Sequence, residues 1–491
     1  MSLTSALSIA QSALQNTSRQ TSTVSRNVSE AQNPDYVRRS ALLASTGPGA
    51  RVVQIQRATN DLLFRQNLSA LASFSGQSTL SDGLQQLALD VYGSDNASSP
   101  ATALGKFQQA LQFYSATPSN QNLGVAAIDA ARQVVRTLND GSNAIQTFRT
   151  ETDGQIATAV YDLNKLLADF EQANKAIIAG ARSGRDVNDS LDQRDAILKQ
   201  ISEIVPVSTF KRGDNDMVIT TADGVTLFET VPRTISFTPS AGYAAGAPGN
   251  SVLIDGVPLQ PGTGANTNAT GKLAAMLQLR DSVAVSMQAQ LDETARGLIT
   301  AFRETAPGLA DATGLFTWSG SPAVPPAGTL VNGLAGQISL SFRVDPLTGG
   351  NPKLLRDGGI NVPPPPAAAD AYIKNTGNNA SYADLLIAYG DRIDENMTFS
   401  PAAGVNTSSS LSSFTTNTIG WFEGTRKQAA EATETKEALA MRTAEALSNE
   451  TSVNVDVEMS LMLELEQAYQ ATARIIKAVD EMLASLLAAV R

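Results

Sequence analysis

Residues 455–490 read VDVEMSLMLELEQAYQATARIIKAVDEMLASLLAAV. Val455, Met462, Tyr469, Ile476, Leu483 and Val490 recur every seven residues without a miss. Leu461, Ala468, Ile475, Met482 and Ala489 make a second row, and Leu465, Thr472, Val479 and Leu486 a third. Three adjacent rows predict a helix from about 454 to 490 with an apolar face about 100° wide. A two-stranded coiled coil needs a narrower seam, so this face asks for more than one partner helix. A core helix in a bundle would satisfy the same pattern.

The other end of the chain carries a weaker seam. Leu3, Leu7, Ala10, Leu14, Thr17, Thr21, Val24 and Val28 alternate steps of four and three. A lone helix with so little apolar surface is marginal in water. The stretch NVSEAQNPDYVRR, residues 27–39, ends it, because the residue before Pro34 avoids the α region.

Between the ends the chain reads as helix, with one interruption. Apolar spacing predicts helices over 58–74, after Ser99-Pro100, over about 121–180, over 191–205, over 271–305 and through most of 378–450. The 121–180 element is long enough for a rod, with Gly141 and Gly154 as points where it should break or bend. Ser190 and Gln193 have the spacing of a capping box. From 207 to 270 the period drops to two, with turns at Ala222-Asp223-Gly224 and Asp255-Gly256, which predicts a small antiparallel β insert. The stretch 240–251 reads as a flexible loop. One further strand is expected where Ile338, Leu340, Phe342 and Val344 alternate, and Pro363–Pro366 read as a stiff spacer.

The chain has 491 residues, a net charge of −11, no Cys and no His. An acidic chain without a basic cluster argues against nucleic acid or an anionic membrane as partner. The missing residue types remove thiolate nucleophiles, Cys/His zinc sites and the usual neutral-pH base. Dinucleotide loop, P-loop, nucleophile elbow and calcium loop each fail at a required position. Asp189, Asp192, Arg194 and Asp195 sit at a predicted helix start, where carboxylates favour the dipole, so they read as a cap and salt-bridge cluster. No catalytic residue, cofactor or metal site is expected. MSLTSALSIAQ has neither a basic start nor an apolar block, so a cleaved secretory signal is not expected.

The two ends together resemble flagellar axial proteins. Asn27, Val28, Pro34, Tyr36 and Arg38 fit the N-terminal signature of that class, NIxNxNTPGYxR. Glu30, Gln32, Asn33 and Asp35 depart from it, and Asp35 replaces a Gly that tolerates positive φ. Glu458, Met459, Gln467, Ala468, Tyr469 and Asp480 to Leu483 match the C-terminal signature. SLDQRDAILKQISEIVPV (190–207), GARVVQIQRATNDLLFRQNLSALA (49–72) and GKLAAMLQLRD (271–281) resemble the first hook-associated protein family within that class.

The resemblance implies a mostly α, elongated molecule whose N- and C-terminal helices pair as a coiled coil beside a helical-bundle rod domain carrying the small antiparallel β insert. Its expected parts are 1–40 with 452–491 (terminal coiled coil), 41–205 with 271–309 and 371–451 (rod), 206–270 (β insert) and 310–370 (loop-rich). It implies a structural adaptor between flagellar hook and filament, outside the cell, exported unfolded through the flagellar type III apparatus. Partners would be further copies of itself, the hook protein, the next hook-associated protein on the filament side, and an export chaperone at the C-terminal region. Leu3, Leu7, Leu14, Val24 and Val28 would then meet Val455, Met462, Leu465, Tyr469, Ile476 and Leu483 in assembly, with Asn27, Pro34 and Tyr36 forming the turn. Two other readings stand beside it: a hook or distal-rod component, and a carboxylate-based hydrolase of cell-wall glycan, which needs two carboxyls facing each other in a cleft.

Overall fold

The structure, a computed structural model, describes residues 3–46, 49–268 and 270–489; Val490 of the first apolar row lies outside the described residues. α1 (Leu3–Ser29) leads through the Asn33–Pro34 turn into a hairpin of β1 (Arg39–Thr46) and β2 (Gly49–Arg57). The hairpin is antiparallel with a bulge at Val53. The expected rod helices did not include it, although Arg51-Val-Val-Gln-Ile-Gln56 is strand-like.

α2 (Asp61–Leu87) starts at Asn60, whose side chain accepts the Leu63 N–H, and runs beyond its expected end. α3 (Pro100–Ala116) is capped by Ser99, as its sequence predicts. α4 (Gln121–Ser183) spans 63 residues without a break, roughly 95 Å at the α-helical rise. Gly141 and Gly154 therefore interrupt nothing. At Gly141 a Cβ would stand 3.1 Å from Leu291 Cδ1, so the missing side chain lets a neighbouring helix approach. α5 (Asn188–Ile204) begins two residues ahead of Ser190. The expected capping box is not formed, because Ser190 and Gln193 both lie inside the helix and Asp186 accepts the Asn188 N–H instead.

The β insert is two small antiparallel sheets. β3 (Val207–Lys211), β4 (Met217–Thr221) and β5 (Thr226–Phe228) form one; β6 (Ile235–Ser236), β7 (Leu253–Ile254) and β8 (Val257–Pro258) form the other. Ile219, Leu227, Phe228, Ile235 and Ile254 share one buried cluster with Ile156, Leu163 and Phe170 of α4 and Leu198 and Ile201 of α5. The insert thus packs on the helices through a common core.

The 240–251 stretch is pinned. Arg149 donates to the carbonyls of Ala247 (2.6 Å) and Arg280 (3.1 Å), and its guanidinium stacks over Tyr243. Arg280 and Asp153, both fully buried, pair at 2.5 Å; Arg280 also holds the Asn250 carbonyl, and Asp153 accepts the Ser240 N–H. A buried pair persists only when its remaining donors and acceptors are also satisfied, and here the loop backbone does that.

α6 (Lys272–Gln278) and α7 (Ala284–Ala301) are joined by a wide π turn at Leu279–Val283. Around α7 lies the larger core, where Phe107, Phe302, Phe316 and Tyr389 interlock with ring centroids 4.8–5.9 Å apart. The 310–370 stretch joins that core through Leu315, Leu334, Ile338, Val344, Leu355 and Ile360. It contains β9 (Phe316–Thr317), α8 (Leu334–Gln337), β10 (Ser339–Leu340) and α9 (Leu354–Asp357). The strand expected over 338–344 shortens to β10, because the chain turns where Val344 N–H bonds the Ser341 carbonyl; Phe342 is left exposed. α10 (Asp384–Asp394), a pair β11 (Met397–Thr398) and β12 (Ser408–Ser409), α11 (Leu411–Thr451) and α12 (Val455–Ala489) complete the chain. α12 returns to lie alongside α1. No helix among the described residues is long and apolar enough to cross a membrane.

Candidate assembly interface and joint

The α1–α12 pair uses only part of the apolar face that the sequence supplies. On α1, Ala10, Thr17 and Val24 are buried and Leu3, Leu7, Leu14 and Val28 half-buried. On α12 the third row faces inward: Leu465, Thr472 and Val479 are buried, with Glu458 one heptad before Leu465. Met462, Ile476 and Leu483 are half-buried. Val455 and Tyr469 stay 42% and 47% exposed, and Ile475, Met482, Leu463 and Leu486 are open to solvent as well. One partner helix covers the middle row of the face and leaves its two flanks partly open.

A second side of α1 holds the β1–β2 hairpin. Asn16 accepts the Val52 N–H at 2.9 Å and donates to the Ala50 carbonyl, which Ser12 also reaches. Ser12 and Asn16 lie off the apolar seam, on the side of α1 that binds strand backbone.

At the turn, Asn27 is fully buried and bonds four groups. Its Oδ1 accepts the Tyr36 hydroxyl (2.8 Å) and the Arg39 N–H (3.1 Å); its Nδ2 donates to the Arg39 carbonyl (2.8 Å) and to Glu458 Oε2 (3.0 Å). Arg38 donates to the other Glu458 oxygen at 2.6 Å. One amide and one carboxylate therefore join the end of α1, the turn and the start of α12. Burial raises the Tyr36 hydroxyl pKa, against the pull of Arg39. Pro34 is exposed and acts only through the backbone. Asp35 does not adopt positive φ; its N–H bonds Asn33 Oδ1, so replacing the usual Gly costs nothing here.

The acidic cluster faces this turn. Asp189, Asp192 and Asp195, three residues apart on α5, meet Arg26, Arg39 and Arg57. Asp189 pairs with Arg26 (2.7 Å) and Arg39 (2.6 Å), Asp192 with Arg39 (2.8 Å), and Asp195 with Arg57 (2.5 Å). Burial pushes the Asp189 carboxyl up, but its two arginines outweigh that and hold it below the ordinary range. For the more deeply buried Asp192 burial wins, and its pKa is raised. Arg194 points away from the cluster, to Asn174 Oδ1 and the Asn215 carbonyl, and burial pushes its pKa down to about 10. Sequence reading missed Arg26, Arg39 and Arg57 as partners. The only trace is a run of three aspartates on one helix face, with nothing to say what they would meet.

Beside the joint opens a cleft of about 820 Å³ between the turn, the root of the hairpin, the start of α2, α5, β3 and the end of α11. Among the described residues no group of His, Cys, Asp or Glu could hold a metal ion. Two deeply buried carboxylates lie elsewhere and bind backbone. Asp292, pushed up to about 6 by burial, accepts the N–H groups of Gly333 and Ala335. Glu304 accepts those of Ile360 and Asn361. Both anchor the 310–370 stretch.

Residues 87–313 match the family model described as flagellar hook-associated protein FlgK helical domain, and residues 448–489 that of the flagellar basal body rod FlgEFG protein C-terminal region. The chain is 24% identical over 250 residues to flagellar hook-associated protein 1 of Salmonella typhimurium and 23% identical over 250 residues to that of Escherichia coli K12. Each alignment covers 48% of this chain and 44% of the relative, so the chain spans less than half the length of these relatives. The fold is similar to that of the flagellar hook junction protein FlgK from Burkholderia pseudomallei, with a TM-score of 0.57 at 13% identity over 78% of this chain and 99% of that one.

Proposed function

We propose that this chain, a FlgK-type flagellar hook-associated protein, is a non-enzymatic adaptor that joins hook to filament by assembling into a ring through its terminal helices. The observation that carries this reading is the open part of α12. Ile475 and Met482 on one flank of the buried Leu465, Thr472 and Val479 row, and Val455 and Tyr469 on the other, leave an apolar stripe along each side that α1 does not cover. Monomers seldom expose such a stripe, and terminal helices of neighbouring copies would bury it at about 1.5–3 kcal/mol per large side chain before ordering entropy is subtracted. The helices would then complete their folding as copies assemble. The hook protein and the next hook-associated protein would contact the two faces of the ring, and an export chaperone would cover the C-terminal stripe until assembly. Export would follow the flagellar type III route, and the protein would act outside the cell. Deletion of the gene tests the reading. Intact hooks without filaments, with flagellin lost to the medium, are expected; normal filaments would overturn it, and missing hooks would move the protein to a lower position in the axis.

A further inference from the structure

We propose that the cleft at the joint receives the β1–β2 hairpin of a neighbouring copy, a contact separate from the terminal helices; the idea rests on the self-assembly proposed above. One wall of the cleft is an unpaired sheet edge. β3 lies at the outside of its sheet, in the order β3-β4-β5. Ala222 N–H bonds the Pro206 carbonyl and Arg212 N–H bonds the Asp216 carbonyl. Antiparallel alternation then turns the N–H and C=O groups of Val207, Thr209 and Lys211 away from β4. Thr209, Phe210 and Lys211 line the cleft, and Phe210 is 68% exposed. An edge strand with an exposed aromatic ring is a template for another strand.

The hairpin is a fitting occupant. It is a two-stranded ribbon in which α1 holds the backbone of β2 through Asn16 and Ser12, while the outer edge of β1 has no strand partner. Its middle exposes Leu42, Leu43 and the bulged Val53. Its root supplies Gln54, Gln56 and Arg57 to one wall of the cleft. The hairpin and the cleft therefore stand at the same level of the molecule. Copies arranged side by side would bring the hairpin of one to the cleft of the next, and such a head-to-tail contact gives a ring where the rotation per copy closes.

The absence of cysteine makes the test direct. Two differently tagged chains, one carrying Val53→Cys and the other Phe210→Cys, are co-expressed in place of the native protein. Purified hook–filament particles are treated with a short bismaleimide. A species bearing both tags is expected from particles and not from secreted monomer. A second pair, Leu43→Cys with Thr209→Cys, guards against a local misfit. Both pairs present in particles at the native level yet giving no doubly tagged species would overturn the inference and leave the adaptor reading standing. If even the unsubstituted chain is missing from the particles, the adaptor reading falls and this contact falls with it.

Discussion

In the helical middle, Phe107, Phe302, Phe316 and Tyr389 lock four segments together, and Phe399 stacks on Phe414. The α1–α12 pair buries Ala10, Thr17 and Val24 on one helix and Leu465, Thr472 and Val479 on the other. Both regions are long helices, but the first fills its apolar face within one chain and the second does not. The middle is built to stand alone. The ends are held in register by polar groups at the joint, and both flanks of the α12 apolar face stay exposed.

The largest expected break in that contrast is Phe302→Ala, which should lower the stability of the middle by about 3–5 kcal/mol. Denaturant unfolding followed by tryptophan fluorescence reads this, since Trp318 and Trp421 pack against the same core. A loss under about 1 kcal/mol would mean that the aromatic cluster is not what holds the middle. Asn27→Ala comes next, at about 1–3 kcal/mol, because it leaves the Glu458 and Tyr36 groups without their buried partner. Its effect should stay local: hydrogen exchange should speed up in α1 and the start of α12 and remain unchanged in α4.

Acid should act with opposite sign on Asp292 in the middle and Asp189 at the joint. Asp292 holds its proton up to about pH 6 in the folded state, against 3.8 ordinarily. The folded middle binds more protons than the unfolded chain between those values, so this group favours folding as pH falls from 6 to 4. Asp189 is held below the ordinary range, so its support of the joint is present above that range and lost as pH falls through it. Comparing Tm for the native chain and Asp292→Asn at pH 7 and pH 4.5 should show the native chain gaining relative to the variant at the lower pH; an unchanged difference would remove Asp292 from the account. The smallest effect belongs to Arg26→Ala. Its pair with Asp189 is about half-exposed on both sides, so it should contribute under about 1 kcal/mol and vanish in high salt.

Much of this architecture is written in local period. The three heptad rows of 455–490, the seam from Leu3 to Val28, the cap at Ser99 and the alternation after Val207 each show in a window of a few turns, because 3.6-residue and two-residue repeats are properties of neighbouring residues. What the sequence did not show are the partners. Asn27 and Glu458 stand 431 residues apart, Arg39 and Asp192 153 apart, and Arg280 and Asp153 127 apart. A hydrogen bond or ion pair between distant segments leaves no period, so only the tertiary structure could show that the acidic face of α5 meets three arginines, or that the 240–251 loop is pinned. The sequence by itself determined which faces would be apolar and that the last helix carries more apolar surface than one partner can cover. The tertiary structure decided which row α1 covers and which is left open, because that choice depends on how the turn at Asn27 aims α1 at α12.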